Sequence, residues 1–156
     1  MAATDMHMPA GSRALIRAAE ATLTAKGVQW TTLRQQVFET LSEAQEPVSA
    51  YDVADRLSGQ LGRRVAPNSI YRILDLFVEH NLSKRVESRN AFIANTHPAC
   101  AHDCIFLVCE GCGRIDHLDD DALMAALRVR AESKGFSLSR PIVELIGRCK
   151  ACQNEA

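Results

Sequence analysis

Four of the six cysteines fall into two Cys-x-x-Cys motifs, Cys109-Glu110-Gly111-Cys112 and Cys149-Lys150-Ala151-Cys152, with 36 residues between them. Two such knuckles can bring four thiolates to one tetrahedral zinc at about 2.3 Å each. Gly111 and Gly113 permit the tight turn that aims backbone N–H groups at the sulfurs. Disulfides or a redox pair are the other chemistries open to this spacing. Two knuckles with glycine in the first favour the metal. Four protein sulfurs leave no open coordination position, so the expected role is a structural staple without catalysis.

A second group of ligand-type side chains surrounds the first knuckle: His97, Cys100, His102 and Cys104 before it, and His117 after it. Imidazole and thiolate together suit zinc over iron or manganese. A zinc deaminase would also use Cys-x-x-Cys, but it needs His-x-Glu for its proton shuttle and an open metal position. The chain offers His102-Asp103-Cys104 and His117-Leu118-Asp119 and no His-x-Glu. We expect no enzyme and no small-molecule substrate.

The elements that hold these residues can be read along the chain. Its 156 residues suffice for one large domain or two small ones. The formal net charge is −1; residues 1–94 carry 11 Lys/Arg against 10 Asp/Glu, and residues 95–156 carry 7 against 9. Any nucleic-acid surface must then be a local patch. No apolar run approaches the roughly 20 residues of a membrane span, and Met1 to Gly11 has no apolar core of a secretory signal. Cysteines without an export signal suggest a reducing cytoplasm.

Apolar spacing predicts helices over 12–26, closed by Gly27, and over 32–43, capped by Thr31 or Thr32. Ser49-Ala50-Tyr51-Asp52 resembles a capping box and opens a third helix, ended by Gly59 and Gly62. A fourth runs from Pro67 to about His80, with Ile70, Ile73 or Leu74, Phe77 and Val78 inward and Asn68, Ser69, Tyr71, Arg72 and Asp75 outward. Leu82–Glu87 and Ala91–Ala94 alternate like a hairpin around Ser88-Arg89-Asn90. Helices followed by a hairpin give the order of a winged helix-turn-helix, with the fourth helix in the major groove. A generic helical domain with a polar helix face is the alternative. After the polar run 95–103, the pattern predicts β-β-α-β-β: strands at 104–108, 114–118, 136–138 and 142–146 around a helix that ends at Gly135. The fold class is therefore α+β: a winged-helix domain over 1–94, a hinge over 95–103, and a small α/β domain with a structural zinc over 104–156. That second half is too small to be stable on its own core, and its sheet offers an edge for another copy.

These segments, in their order and spacing, resemble the ferric uptake regulator family, and most of all its zinc uptake regulator branch. The resemblance covers about residues 12 to 152. It rests on Thr31-Thr32-Leu33-Arg34, Val48-Ser49-Ala50-Tyr51-Asp52, Ser69-Ile70-Tyr71-Arg72-Ile73-Leu74, Val86-Glu87-Ser88-Arg89-Asn90-Ala91-Phe92 and the two knuckles. The Ser-Ala-Tyr-Asp and Val-Glu-Ser-x-Asn segments favour the zinc branch over the iron one.

The resemblance implies a cytoplasmic homodimer that binds double-stranded operator DNA when metal-loaded and represses zinc-uptake genes, its second half serving dimerisation. The alternative is the same fold answering iron, manganese or peroxide. It implies Tyr71 for base contact and Arg72 for phosphate or base contact. Asn68 and Ser69 stand where helix N–H groups favour phosphate. Arg34, Arg63, Arg64, Lys84, Arg85 and Arg89 could supply the local patch, or remain solvated charges. Two zinc ions per chain are implied, one structural and one regulatory. The regulatory site should straddle the hinge and fill only when metal is available. His102 stands where a sensor histidine is expected, and His117 where the pattern has a glutamate. The pattern's wing histidine is Lys84 here and its cysteine is Asn95, so His97 or Cys100 would substitute. Met124 and Pro141 stand where some iron-branch members have ligands of a further site.

Overall fold

The computed structural model describes residues 12–96 and 103–154. The chain divides into two compact units, Met1–Ala99 and Cys100–Ala156.

The first unit carries α1 (Ser12–Ala25), α2 (Thr32–Glu43), α3 (Ala50–Leu61), α4 (Pro67–Glu79) and a hairpin of β1 (Ser83–Val86) and β2 (Ala91–Ala94). Local chemistry sets most of these ends. Gly27, at φ +72°, closes α1 as the Val28 N–H donates to the Leu23 carbonyl at 2.9 Å. The Thr31 hydroxyl accepts from the Arg34 N–H at the start of α2. At α3, the Ser49 hydroxyl accepts from the Asp52 N–H while the Asp52 carboxylate accepts from the Ser49 N–H. The Ser49 hydroxyl also donates to that carboxylate at 2.7 Å, and this bond first, then that of the Ser49 N–H, holds the Asp52 carboxyl below its usual range. Asn81 takes the left-handed position after α4 (φ +59°), and the Leu82 N–H reaches back to the Phe77 carbonyl at 2.8 Å.

Apolar faces at helical spacing meet in one core. Val37, Phe38, Leu41, Val53, Leu57, Ile70, Leu74, Phe77 and Phe92 are buried in it. Phe38 and Phe77 meet edge to face at 5.5 Å, with Trp30 against both. The antiparallel hairpin runs in register from Ser83 opposite Ala94 to Val86 opposite Ala91. A 3-10 turn (Glu87–Arg89) and Asn90 at φ +46° join its strands. Val48, between α2 and α3, pairs with Phe92 through two backbone bonds of 3.0 and 2.8 Å and fixes the hairpin to the helices.

The second unit carries β3 (Ile105–Cys109), β4 (Ile115–Leu118), α5 (Asp121–Glu132), β5 (Val143–Gly147) and α6 (Lys150–Gln153). Its sheet order is β4-β3-β5, antiparallel between β3 and β4 and parallel between β3 and β5. The Asp120 carboxylate caps α5 on the Leu123 N–H. The strand expected at Phe136–Leu138 does not form. Gly135 turns left-handed after α5, and the Phe136 N–H donates back to the Ala131 carbonyl at 3.1 Å. That closes the helix with the donor a strand would need, and Pro141 lacks a backbone N–H altogether. The unit is therefore β-β-α-β-α, the short α6 carrying the second knuckle. Its buried apolar residues are Ile105, Phe106, Val108, Cys109 and Met124, while Val129, Phe136, Leu145 and Ile146 are more than half exposed. So small a core needs another source of stability. Among the described residues no helix is long and apolar enough to cross a membrane.

Candidate metal centre and nucleic-acid interface

The sheet and α6 bring all four knuckle cysteines together. Cys109 ends β3, Cys112 lies in the turn to β4, and Cys149 and Cys152 flank and occupy α6. Their sulfurs all lie within 4.8 Å of one another, Cys112 and Cys149 at 3.7 Å. Four sulfurs about 2.3 Å from one tetrahedral ion stand about 3.8 Å apart, so the cluster has the size of a metal site. The β3–β4 turn is closed by Gly113 at φ +78°, its N–H bonded to the Cys109 carbonyl at 3.0 Å.

Electrostatics also fit a cation. The Cys149 N–H donates to the Cys109 sulfur at 3.3 Å. That bond, then the N–H groups of Cys112 and Gly111, hold the Cys109 thiol down at about 6, against the cost of desolvation. Cys152 is pushed up to about 12, first by hydrogen bonding with Cys112 and then with Cys149. Thiolate character is favoured at Cys109 while Cys152 holds its proton; a dication would let Cys152 ionise as well. Among the described residues this is the one grouping of three or more His, Cys, Asp or Glu able to hold a metal ion.

Gly111 makes the cradle tight. A Cβ there would lie 3.0 Å from the Cys152 sulfur and 3.1 Å from its Cβ. Gly111→Ala must displace a ligand, so it should cost about 1–3 kcal/mol of stability in the metal-bound protein. A lowered melting temperature and faster metal loss to a chelator are the expected readings; an unchanged chelation rate would refute the cradle.

The remaining candidate ligands stand differently. His97, Cys100 and His102 lie outside the described residues. His117 is exposed on β4 opposite Phe106, its Nε2 3.4 Å from the Asp119 carboxylate. The sequence reading named Asp119 beside His117 but not as its partner, although the i, i+2 spacing at the end of a strand would have signalled it. Lys84 and Asn95 both tie onto Asn81. The Lys84 ammonium donates to the Asn81 side chain at 2.6 Å, and the Asn95 amide to the Asn81 carbonyl at 2.7 Å. Asn95 is buried.

The second surface is on the first unit. Helix α4 buries Ile70, Ile73, Leu74 and Phe77 and exposes Asn68, Ser69, Arg72, Asp75 and Glu79. No side chain caps its first turn, which begins at Ala66 and Pro67. Pro67 has no N–H and the Ser69 and Ile70 N–H groups donate to the Ala66 carbonyl, so the N-terminal end of α4 offers the Asn68 N–H together with the Asn68 and Ser69 side chains. Arg63 and Arg64 are exposed in the turn before it. Arg34 is half-buried on α2 and its guanidinium donates to the Gln29 carbonyl, which commits part of it to structure. Arg85 is folded into the wing, 5.6 Å over the Phe92 ring and 3.2 Å from the Glu87 carboxylate.

Tyr71 is half-buried on α4, edge to face with Tyr51 at 6.1 Å and with Phe92 at 6.4 Å. Tyr51, on α3, is 60% exposed. The sequence reading treated it as part of a helix start and of the family resemblance, with no contact to DNA. It belongs to the same surface, and what reveals it is its contact with Tyr71 across two helices.

The ferric uptake regulator family profile matches residues 25–146. The zinc uptake regulation protein of Escherichia coli is 27% identical over 139 residues, covering 88% of this chain and 81% of that protein. Among solved structures, a zinc uptake regulator complexed with zinc and DNA superposes with a TM-score of 0.85 at 25% identity, covering 93% of this chain and 97% of that one. Holo XcZur superposes at 0.79 with 30% identity, covering 90% and 98%.

Proposed function

Since the chain belongs to the ferric uptake regulator family, we propose that it is a zinc-responsive transcriptional repressor whose zinc-loaded homodimer binds operator DNA and shuts off zinc-uptake genes. The chain is a metal-responsive regulator of that family and not an enzyme. What supports zinc as its cue is the whole-chain likeness to a zinc uptake regulator seen with zinc and DNA.

In this reading residues 1–94 bind DNA, 95–103 act as a hinge, and 104–156 dimerise. Cys109, Cys112, Cys149 and Cys152 hold a structural zinc, for which the sulfur spacing and the Gly111 cradle are the support. Zinc would supply the positive charge that lets the thiols ionise and lock the two knuckles together. His97, Cys100, His102 and His117 hold the regulatory zinc. Its thiolate and imidazole donors support zinc over iron. Tyr71, Arg72, Ser69, Asn68, Arg34, Arg63 and Arg64 face the DNA. The protein works in the cytoplasm, where thiols stay reduced.

The test is a metal-resolved gel shift. Protein stripped of loosely held metal should keep about one zinc per chain and leave a palindromic AT-rich duplex unshifted. Adding zinc should fill the second site and restore the shift. Parallel titrations with iron and manganese separate zinc sensing from the alternative cues. Binding by the singly loaded protein equal to that of the doubly loaded one would sink metal sensing.

A further inference from the structure

We propose that Asn90, at the tip of the wing, is a positioning residue for Tyr71: it fixes the tyrosine hydroxyl as a hydrogen-bond donor toward an acceptor on the operator. The inference rests on the reading of α4 as the DNA-facing helix and adds a residue of the wing to its machinery.

The Asn90 side-chain amide bridges two groups. Its Oδ1 accepts from Arg85 Nη2 at 2.8 Å, and its Nδ2 donates to the Tyr71 hydroxyl at 3.2 Å. Guanidinium can only donate, so the oxygen must face Arg85 and the –NH2 must face Tyr71. Arg85 is itself held by Glu87 and by the face of Phe92.

The consequence for Tyr71 is chemical. A phenol has one O–H proton and accepts through its lone pairs. With Asn90 donating to that oxygen, the proton is left to be given elsewhere, so the DNA partner must be an acceptor. Purine N7, guanine O6, thymine O4 and phosphate oxygens qualify; the amino group of cytosine or adenine does not. The ring is held by Tyr51 on one element and Phe92 on another. Its orientation is thus set before DNA arrives, which lowers the ordering cost of binding.

Asn90 suits this work because its backbone is left-handed at φ +46°. Asparagine and glycine tolerate that conformation and other residues do so poorly. Asn90→Gly therefore removes the amide without backbone strain, and Tyr71→Phe removes the hydroxyl without the ring.

The experiment is a double-mutant cycle on the zinc-loaded full chain. Wild type, Tyr71→Phe, Asn90→Gly and the double variant are titrated against operator and against unrelated duplex. Each single variant should lose about fivefold in operator affinity, the scale of one hydrogen bond. The double variant should lose no more than Tyr71→Phe alone. A loosened wing would still weaken binding in the Tyr71→Phe background, so losses that multiply overturn the proposal, as does an Asn90→Gly variant that binds like wild type. Loss confined to the operator identifies a base acceptor; equal loss on both duplexes identifies phosphate.

A second readout needs no DNA. Aromatic NMR relaxation of the free protein should show the Tyr71 ring gaining mobility in Asn90→Gly, and an unchanged ring overturns the positioning role. Failure of the wild type to bind DNA at all would instead fall on the functional reading above.

Discussion

Cys112→Ser is expected to strip the structural zinc and unfold the second unit. Cys112 is exposed in its turn, so the substitution removes no packing of consequence. What it removes is one corner of a sulfur cluster. A serine hydroxyl does not ionise at neutral pH and is a poor partner for zinc. The unit buries few apolar side chains, and structural zinc in small folds carries folding free energy outright. Loss of more than about 4 kcal/mol follows, in the range of metal-site lesions. Metal analysis should find the zinc gone, and a melt should show the second unit's transition lost while the helical signal of the first persists. DNA affinity should collapse as well, because in the proposed reading dimerisation depends on that unit. Cys104→Ser, outside the cluster, is the control and should keep its zinc. A Cys112→Ser protein with unchanged zinc and unchanged melting would refute the staple.

Arg72→Ala should weaken operator binding by about 1–3 kcal/mol, roughly 5- to 150-fold, with little effect on folding. Arg72 lies one turn after Asn68 on the exposed stripe of α4, opposite the buried face. Its loss should relax sequence preference at one base pair if the guanidinium reads guanine, since that bidentate contact is the commonest specific one. Arg63→Ala, in the turn before α4, should behave differently: a uniform loss on all duplexes and a shallower salt dependence. Anisotropy titrations at several salt concentrations separate the two. Arg72→Ala binding at wild-type strength would remove α4 from the interface.

The parts legible in the sequence were those written in local spacing. The two knuckles, the Ser49/Asp52 capping box, Gly27 after α1 and the apolar face of α4 each depend on residues a few positions apart. The strand placed at Phe136–Leu138 failed because three apolar residues carry too little pattern to outweigh a glycine helix cap just before them. The contacts that complete the exposed surface of α4 were out of reach for another reason. Asn90 to Tyr71 spans 19 positions, and Tyr51 to Tyr71 joins two helices. No periodicity encodes such pairs; they exist only once the core of Phe38, Phe77 and Phe92 has fixed the helices and the wing.

The tie of Lys84 and Asn95 to Asn81 bears on where the switch must lie. These bonds fasten the end of α4 to the root of the wing without any metal, and the Asn95 N–H adds a third through the Leu82 carbonyl at 2.9 Å. The junction of α4 and the wing is thus held by amide, ammonium and backbone groups, none of them a metal ligand. In the proposed reading, free energy from the regulatory zinc then has nothing to repair at this junction and is left for the spacing of two winged-helix units on DNA.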